Sequence, residues 1–177
     1  MRITVLATLV LATLAGPAAA AGEPARTSPA PARSSDAAAE RQHPAEHMKR
    51  AAALFRAGDR DRAVFWFYLG QLRYRTHLSA RKGQLDPSGD PALFSSLLQA
   101  VGGPINRYAF GDIPALARTI DEVLAWDDAH PDGFTPKDRY AAERADIRQG
   151  LVAMRDEALA TQEDIRASRI RNGLPNR

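Results

Sequence analysis

Residues 63–78, AVFWFYLGQLRYRTHL, constrain the fold more than any other part of the chain. From Ala63 to Leu69 the run is apolar on every side. A short aromatic run of this kind also suits a strand. The apolar pattern continues through Leu72, Tyr74 and Leu78, beyond the length of an ordinary strand, and so predicts a helix. A helix without a polar face belongs at the centre of a bundle, with other helices on all sides.

The flanking segments can supply those helices. Between Pro44, suited to a first helical turn, and Gly58, suited to a helix end, apolar residues recur at helical spacing: Met48, Ala51, Ala52, Leu54 and Phe55. Asp59 or Asp61 is the expected N-cap of the central helix. Residues 81–90 are a loop by their Gly, Pro and Asp content. Asp90 then reads as the N-cap of a third helix with Pro91 behind it, carrying Leu93, Phe94, Leu97, Leu98 and Val101 and stopping at Gly102-Gly103. Pro104 restarts a short turn. Asp112 caps a helix that turns Ile113, Leu116, Ile120, Val123 and Leu124 inward. Thr135-Pro136-Lys137-Asp138 resembles a capping box that opens a long last helix. Its stripe runs through Tyr140, Ile147, Leu151, Met154, Ala158 and Ile165, with Gly150 off the stripe as a possible kink site. The expected class is all-α: a compact bundle of about five or six helices with a long C-terminal helix.

The expected domain covers residues 43–168. Ahead of it, Arg2 precedes an apolar stretch at residues 3–15, broken by Gly16-Pro17 and followed by Ala18-Ala19-Ala20. That is the layout of a secretory signal peptide over residues 1–20, with cleavage expected after Ala20 or Ala21. The stretch is shorter than the ~20 apolar residues that span a bilayer. Residues 21–42, rich in Ala, Pro, Ser and Arg, read as a flexible linker. Residues 169–177 read as a frayed tail. The sequence contains no cysteine, which excludes disulfides, thiolate metal sites and a lipid anchor on cysteine. The expected location is the periplasm or the exterior, as a soluble protein that is not a lipoprotein and has no membrane span once the signal is removed.

The central hairpin resembles a tetratricopeptide repeat over residues 48–78. Gly58 is followed by Ala63 at +5, Phe67 at +9 and Gly70 at +12, where that repeat places small and aromatic residues. Arg60 stands where the repeat has an aromatic, and no second copy follows. The resemblance implies a tetratricopeptide-like hairpin within a bundle, not a solenoid. The string FWFYLGQLRYR is also similar to one in uncharacterised exported bacterial helical proteins, a resemblance that implies no activity.

Few residues point to catalysis. His43-Pro44-Ala45-Glu46-His47 matches the H-x-x-E-H pattern of inverted zinc peptidases. Zinc chemistry needs both histidines on one helical face, whereas Pro44 at the first helical position makes His43 a cap. Asp127, Asp128, His130 and Asp132 form an acidic cluster before Gly133; a carboxylate pair or a calcium site would use such residues, but the spacing lacks the distal Glu of a calcium loop, and helix-end and turn chemistry is the expected use. No nucleophile elbow, phosphate loop or dinucleotide fingerprint is present. Carboxylates alone could hydrolyse glycosides. Arg118 with Glu122, and Arg139 with Glu143, read instead as surface pairs at helical spacing. No catalytic residue, metal or cofactor is expected.

Charge is unevenly distributed. Residues 49–82 hold nine Lys/Arg against two Asp/Glu, and residues 83–177 hold eleven against fifteen. The two halves either neutralise each other internally or present a basic face to an acidic protein, anionic glycan or membrane surface. Export argues against nucleic acid. The exit of the central helix is the candidate surface. Gln71 and Arg75, four apart, share a face; Trp66 and Arg73 lie on a neighbouring one. Trp66, Tyr108 and Trp126 could also border a ligand pocket between helices. The leading expectation is an exported, non-enzymatic protein-binding module, one version being an immunity or inhibitor protein. A carboxylate-dependent cell-wall glycan hydrolase and a small-ligand carrier are the alternatives.

Overall fold

The computed structural model describes residues 39–177. The signal-peptide segment and most of the linker lie outside the described residues. The fold is all-α: α1 (Pro44–Arg56), α2 (Arg60–Ala80), α3 (Asp90–Leu97), a π turn (Leu98–Gly102), α4 (Gly103–Ala109), α5 (Ile113–Ala129), α6 (Ala141–Ala160) and α7 (Gln162–Arg171).

The apolar segment is the central helix α2, which touches α1, α3, α4, α5 and α6. Val64, Trp66, Phe67, Leu69, Leu72 and Tyr74 are all buried, on every side of the helix. Two glycines let its neighbours close in. A Cβ at Gly70 would lie 2.7 Å from Met48 Cγ of α1, and one at Gly102 would lie 2.8 Å from Phe67 Cζ. The α1–α2 connection turns at Gly58, whose φ of +87° is open to glycine at little cost.

Contacts between helices show their directions. Asp127, Leu124 and Asp121 of α5 meet Arg144, Arg148 and Arg155 of α6 in reverse order, so α5 and α6 are antiparallel. α2 runs parallel to α5: Asp61 and Asp112 border the same groove at one end, and Arg73 meets Asp127 at the other. α2 and α6 are therefore antiparallel neighbours.

Several local expectations need correction. The third helix does not stop at Gly102-Gly103. Both glycines keep helical dihedrals, and the chain passes through a π turn into α4. Pro104 has no N–H to give the preceding turn, and a widened turn accommodates that gap. The long last helix begins at Ala141 and breaks at Thr161 (φ −110°, ψ 18°). Residues 169–177 are not frayed. Arg169 is buried, its guanidinium holds the Pro175 carbonyl at 2.6 Å, and the Arg177 N–H donates to Gly111 O at 2.7 Å. The linker ends earlier than residue 42. Ala39 is buried, and the Glu40 carbonyl accepts from the Gly133 N–H. Asp90 is not a cap; Gly89 holds that place, and the Asp90 side chain is turned to other partners. Neither Arg118–Glu122 nor Arg139–Glu143 forms an ion pair among the described residues. Arg ahead of Glu is the weaker orientation for such pairs on a helix.

Candidate functional site

A groove of about 630 Å³ runs between α2 and α6. Its α2 wall is built from Tyr68, Gln71, Leu72 and Arg75, offsets of 3, 4 and 7, which fall on one helical face. Gln71 and Arg75 thus share a face, as their spacing implies. The opposite wall presents Ile147, Leu151 and Met154 from the α6 stripe, with Asp146, Gln149 and Gly150 beside them. The floor is apolar and the rim polar, the composition of a binding site.

The rim's polar groups are uncommitted. The side chains of Gln71, Gln149, Asp146 and Arg75 make no hydrogen bond or ion pair among the described residues. Arg75 is exposed and lies over the Phe94 ring, its carbon 5.3 Å from the centroid. Gly150 sits mid-helix, and a Cβ there would meet nothing within 4 Å. A second groove, of about 550 Å³, lies between α2 and α5; two of its three acids are engaged, and Glu122 is not, among the described residues. Asp61 accepts from the Tyr108 hydroxyl, and Asp112 caps Ala115.

Arg73 is not part of an exposed surface. Its side chain is 3% exposed and meets Asp127, also 3% exposed, with Nε 3.1 Å from Oδ1. The same guanidinium donates to the Pro131 carbonyl at 3.0 Å. Arg144 and Arg148 reach Asp127 Oδ2 from α6 and bridge onward to Asp128. The Arg144 bond and the neighbouring cations, outweighing partial burial, hold the Asp128 carboxyl below the usual range. Burial pushes Asp132 up despite its bonds from the Thr135 and Phe134 N–H groups and the nearby Arg73. The acidic cluster before Gly133 is therefore a junction joining α2, α5 and α6. It also ties the basic hairpin internally to the acidic half.

The two histidines of the H-x-x-E-H pattern diverge. His43 caps α1, its Nδ1 accepting the Ala45 N–H at 3.1 Å. Its Nε2 therefore carries the proton and donates to Asp90 Oδ1 at 3.1 Å. His77 approaches Asp90 Oδ2 at 3.0 Å, and the Tyr74 hydroxyl donates to the same carboxylate. Burial alone would raise the Asp90 carboxyl; the His77 bond, the His43 ring beside it and the Tyr74 bond outweigh it and hold it low. His47 is fully buried beneath Trp66, with neither ring nitrogen hydrogen-bonded. Burial, with Arg73 and Arg50 nearby, lowers its pKa to about 3. Among the described residues no cluster of His, Asp or Glu has the arrangement of a metal site.

The aromatic candidates do not enclose one pocket. Trp66 is buried, with the Arg50 guanidinium 3.7 Å above it. It packs edge-on against Trp126, which stacks on His130 at 4.0 Å. Tyr108 lies elsewhere, beside Phe55, under the Arg177 guanidinium at 3.5 Å. The groove wall on α6 escaped sequence reasoning as a site, although Ile147, Leu151 and Met154 were visible as a stripe. The one available signal was Gly150, a mid-helix glycine without a packing reason. No protein family, curated protein or solved structure matches the chain.

Proposed function

We propose that this chain is an exported protein-binding module of the periplasm or cell exterior, and that it meets its partner through the α2–α6 groove. One observation carries the reading. The residues with catalytic potential are bound into structural junctions, whereas the groove's polar groups are unspent. Asp127, Asp128 and Asp132 hold Arg73, Arg144, Arg148 and backbone N–H groups. Asp90 holds two histidines and a tyrosine. The groove offers an apolar floor rimmed by Gln71, Arg75, Asp146 and Gln149, which suits recognition.

The hydrolase alternative is less well supported. Glycoside hydrolysis calls for two carboxylates across the scissile bond, and Asp146 is the only carboxylate lining this groove. A carrier pocket at Trp66, Tyr108 and Trp126 is filled or dispersed. The basic hairpin favours a partner with acidic residues at its contact, because Arg75 faces out without a carboxylate of its own. An immunity or inhibitor protein is one such module. The tetratricopeptide-like offsets of the α1–α2 hairpin fit the same reading, since that repeat is a protein-binding scaffold.

The test is crosslinking in the native cell envelope with photoreactive residues at Gln71 and Gln149. One stoichiometric protein partner, lost in Arg75→Glu with the fold intact, is the expected result. Release of glycan fragments by the purified protein, or no groove-dependent partner, would overturn the proposal.

A further inference from the structure

We infer that the groove takes an amphipathic helix of the partner, two turns long, that carries a carboxylate for Arg75 and crosses α6 at Gly150; this rests on the binding-module reading above. The shape comes from the walls. α2 and α6 are antiparallel neighbours, and the lining residues recur along both at 3, 4 and 7. A trough between two helices presents ridges and holes at helical spacing, which a third helix complements and an extended strand does not. The lined length runs from Tyr68 to Arg75 on one wall and from Asp146 to Met154 on the other. At about 1.5 Å per residue that is roughly two turns.

Gly150 supplies the independent mark. A glycine inside an exposed helix is destabilising relative to alanine by about 1 kcal/mol. Gly70 and Gly102 have compensation within the fold, because a Cβ on either would collide with Met48 or Phe67. Gly150 has none: its Cβ direction is open, and its φ lies outside the left-handed region. It lines the groove, where a bare backbone lets another backbone approach closely. Charge then narrows the occupant. Arg75 stands at the groove end without an ion-pair partner among the described residues, and Arg81 and Lys82 follow it at the exit of α2. Asp146, at the same end, is the complementary point for a basic residue on the helix's other flank. A helix with an acidic flank at Arg75 fits; a basic flank there would meet the like charge of that guanidinium.

The test uses two displayed peptide libraries of equal length, selected on the purified full chain. One is built on a helix-forming scaffold randomised at groove-facing positions; the other is punctuated with proline to remain extended. Binders are re-measured on Gly150→Trp and Arg75→Glu, after circular dichroism and thermal melting show both variants folded. The expected result is enrichment from the helical library, with apolar residues at helical spacing and an acidic flank. Each variant should then weaken binding by about tenfold or more. Groove-dependent binders from the extended library alone would overturn the helix and leave the binding-module reading standing. Helical binders indifferent to Gly150→Trp would overturn the docking site. No groove-dependent binder from either library would overturn both inferences.

Discussion

Arg73 and Asp127 face each other across the α2–α5 interface, Nε to Oδ1 at 3.1 Å, each with a side chain 3% exposed. Their supports are unequal. Without Arg73, Asp127 keeps Arg144 and Arg148. Without Asp127, Arg73 keeps two carbonyls, and the nearest oxygen of Asp132 is 3.9 Å away. Breaking a buried pair is expensive when it strands a charge, by about 3–5 kcal/mol. Asp127→Ala should therefore approach ~4 kcal/mol of lost stability, and Arg73→Met should lose ~2 kcal/mol or less. Urea unfolding of both variants checks this; a larger loss for Arg73→Met would refute the asymmetry.

His47 predicts acid sensitivity. Its pKa is about 3 in the fold and 6.5 when free, so the unfolded chain binds more protons between these values. Stability should thus fall as pH drops below about 6.5, by ~1.4 kcal/mol per pH unit, levelling near pH 3. At pH 5 the loss is ~2 kcal/mol. His47→Leu should remove most of that slope. Denaturant melts of both proteins from pH 7 to pH 4 measure it, and parallel slopes would show that other groups carry the acid response.

The glycines should respond in opposite directions. Gly150→Ala should stabilise by about 0.5–1 kcal/mol, because the new methyl meets open space and gains helix propensity. Gly70→Ala forces Met48 and its backbone N, the latter 3.1 Å away, to yield. Overpacking of this kind costs about 1–3 kcal/mol and exceeds the propensity gain. Urea unfolding separates the two; a stabilised Gly70→Ala would mean that α1 shifts without loss.

Gln71→Ala and Arg75→Glu should each leave unfolding stability within about 0.5 kcal/mol of the parent, since neither side chain makes a hydrogen bond or ion pair within the fold. A loss above about 1 kcal/mol in either would show that the groove rim serves the fold and not a partner.

What could be read from the sequence follows the range of the interactions. Periodicity identified the central helix and the α5 core of Leu116, Ile120 and Val123, because burial repeats every few residues. Caps at His43 and Asp112 were equally local. Gln71 and Arg75 could be placed together by an offset of four. Arg73 could not be separated from them, because the partner that buries it lies 54 positions away. Asp90 looked like a cap because Pro91 follows it, while its partner His43 is 47 positions distant. The π turn and the docked tail were hidden for a related reason. Gly102 is required by Phe67 and Arg177 is held by Gly111, neither a sequence neighbour.

The same helix that unifies the bundle makes its loss hazardous. Residues 64–69, VFWFYL, carry no charge, no proline and no glycine, and their aromatic and branched side chains suit cross-strand stacking. In the native state α1, α3, α4, α5 and α6 pack on α2, and its helical backbone is unavailable for strand pairing. Once the bundle opens, no charge or proline within those six residues discourages edge-to-edge pairing between molecules. Heating should therefore end in aggregation rather than in a reversible melt, and the useful measure of durability becomes the rate of opening.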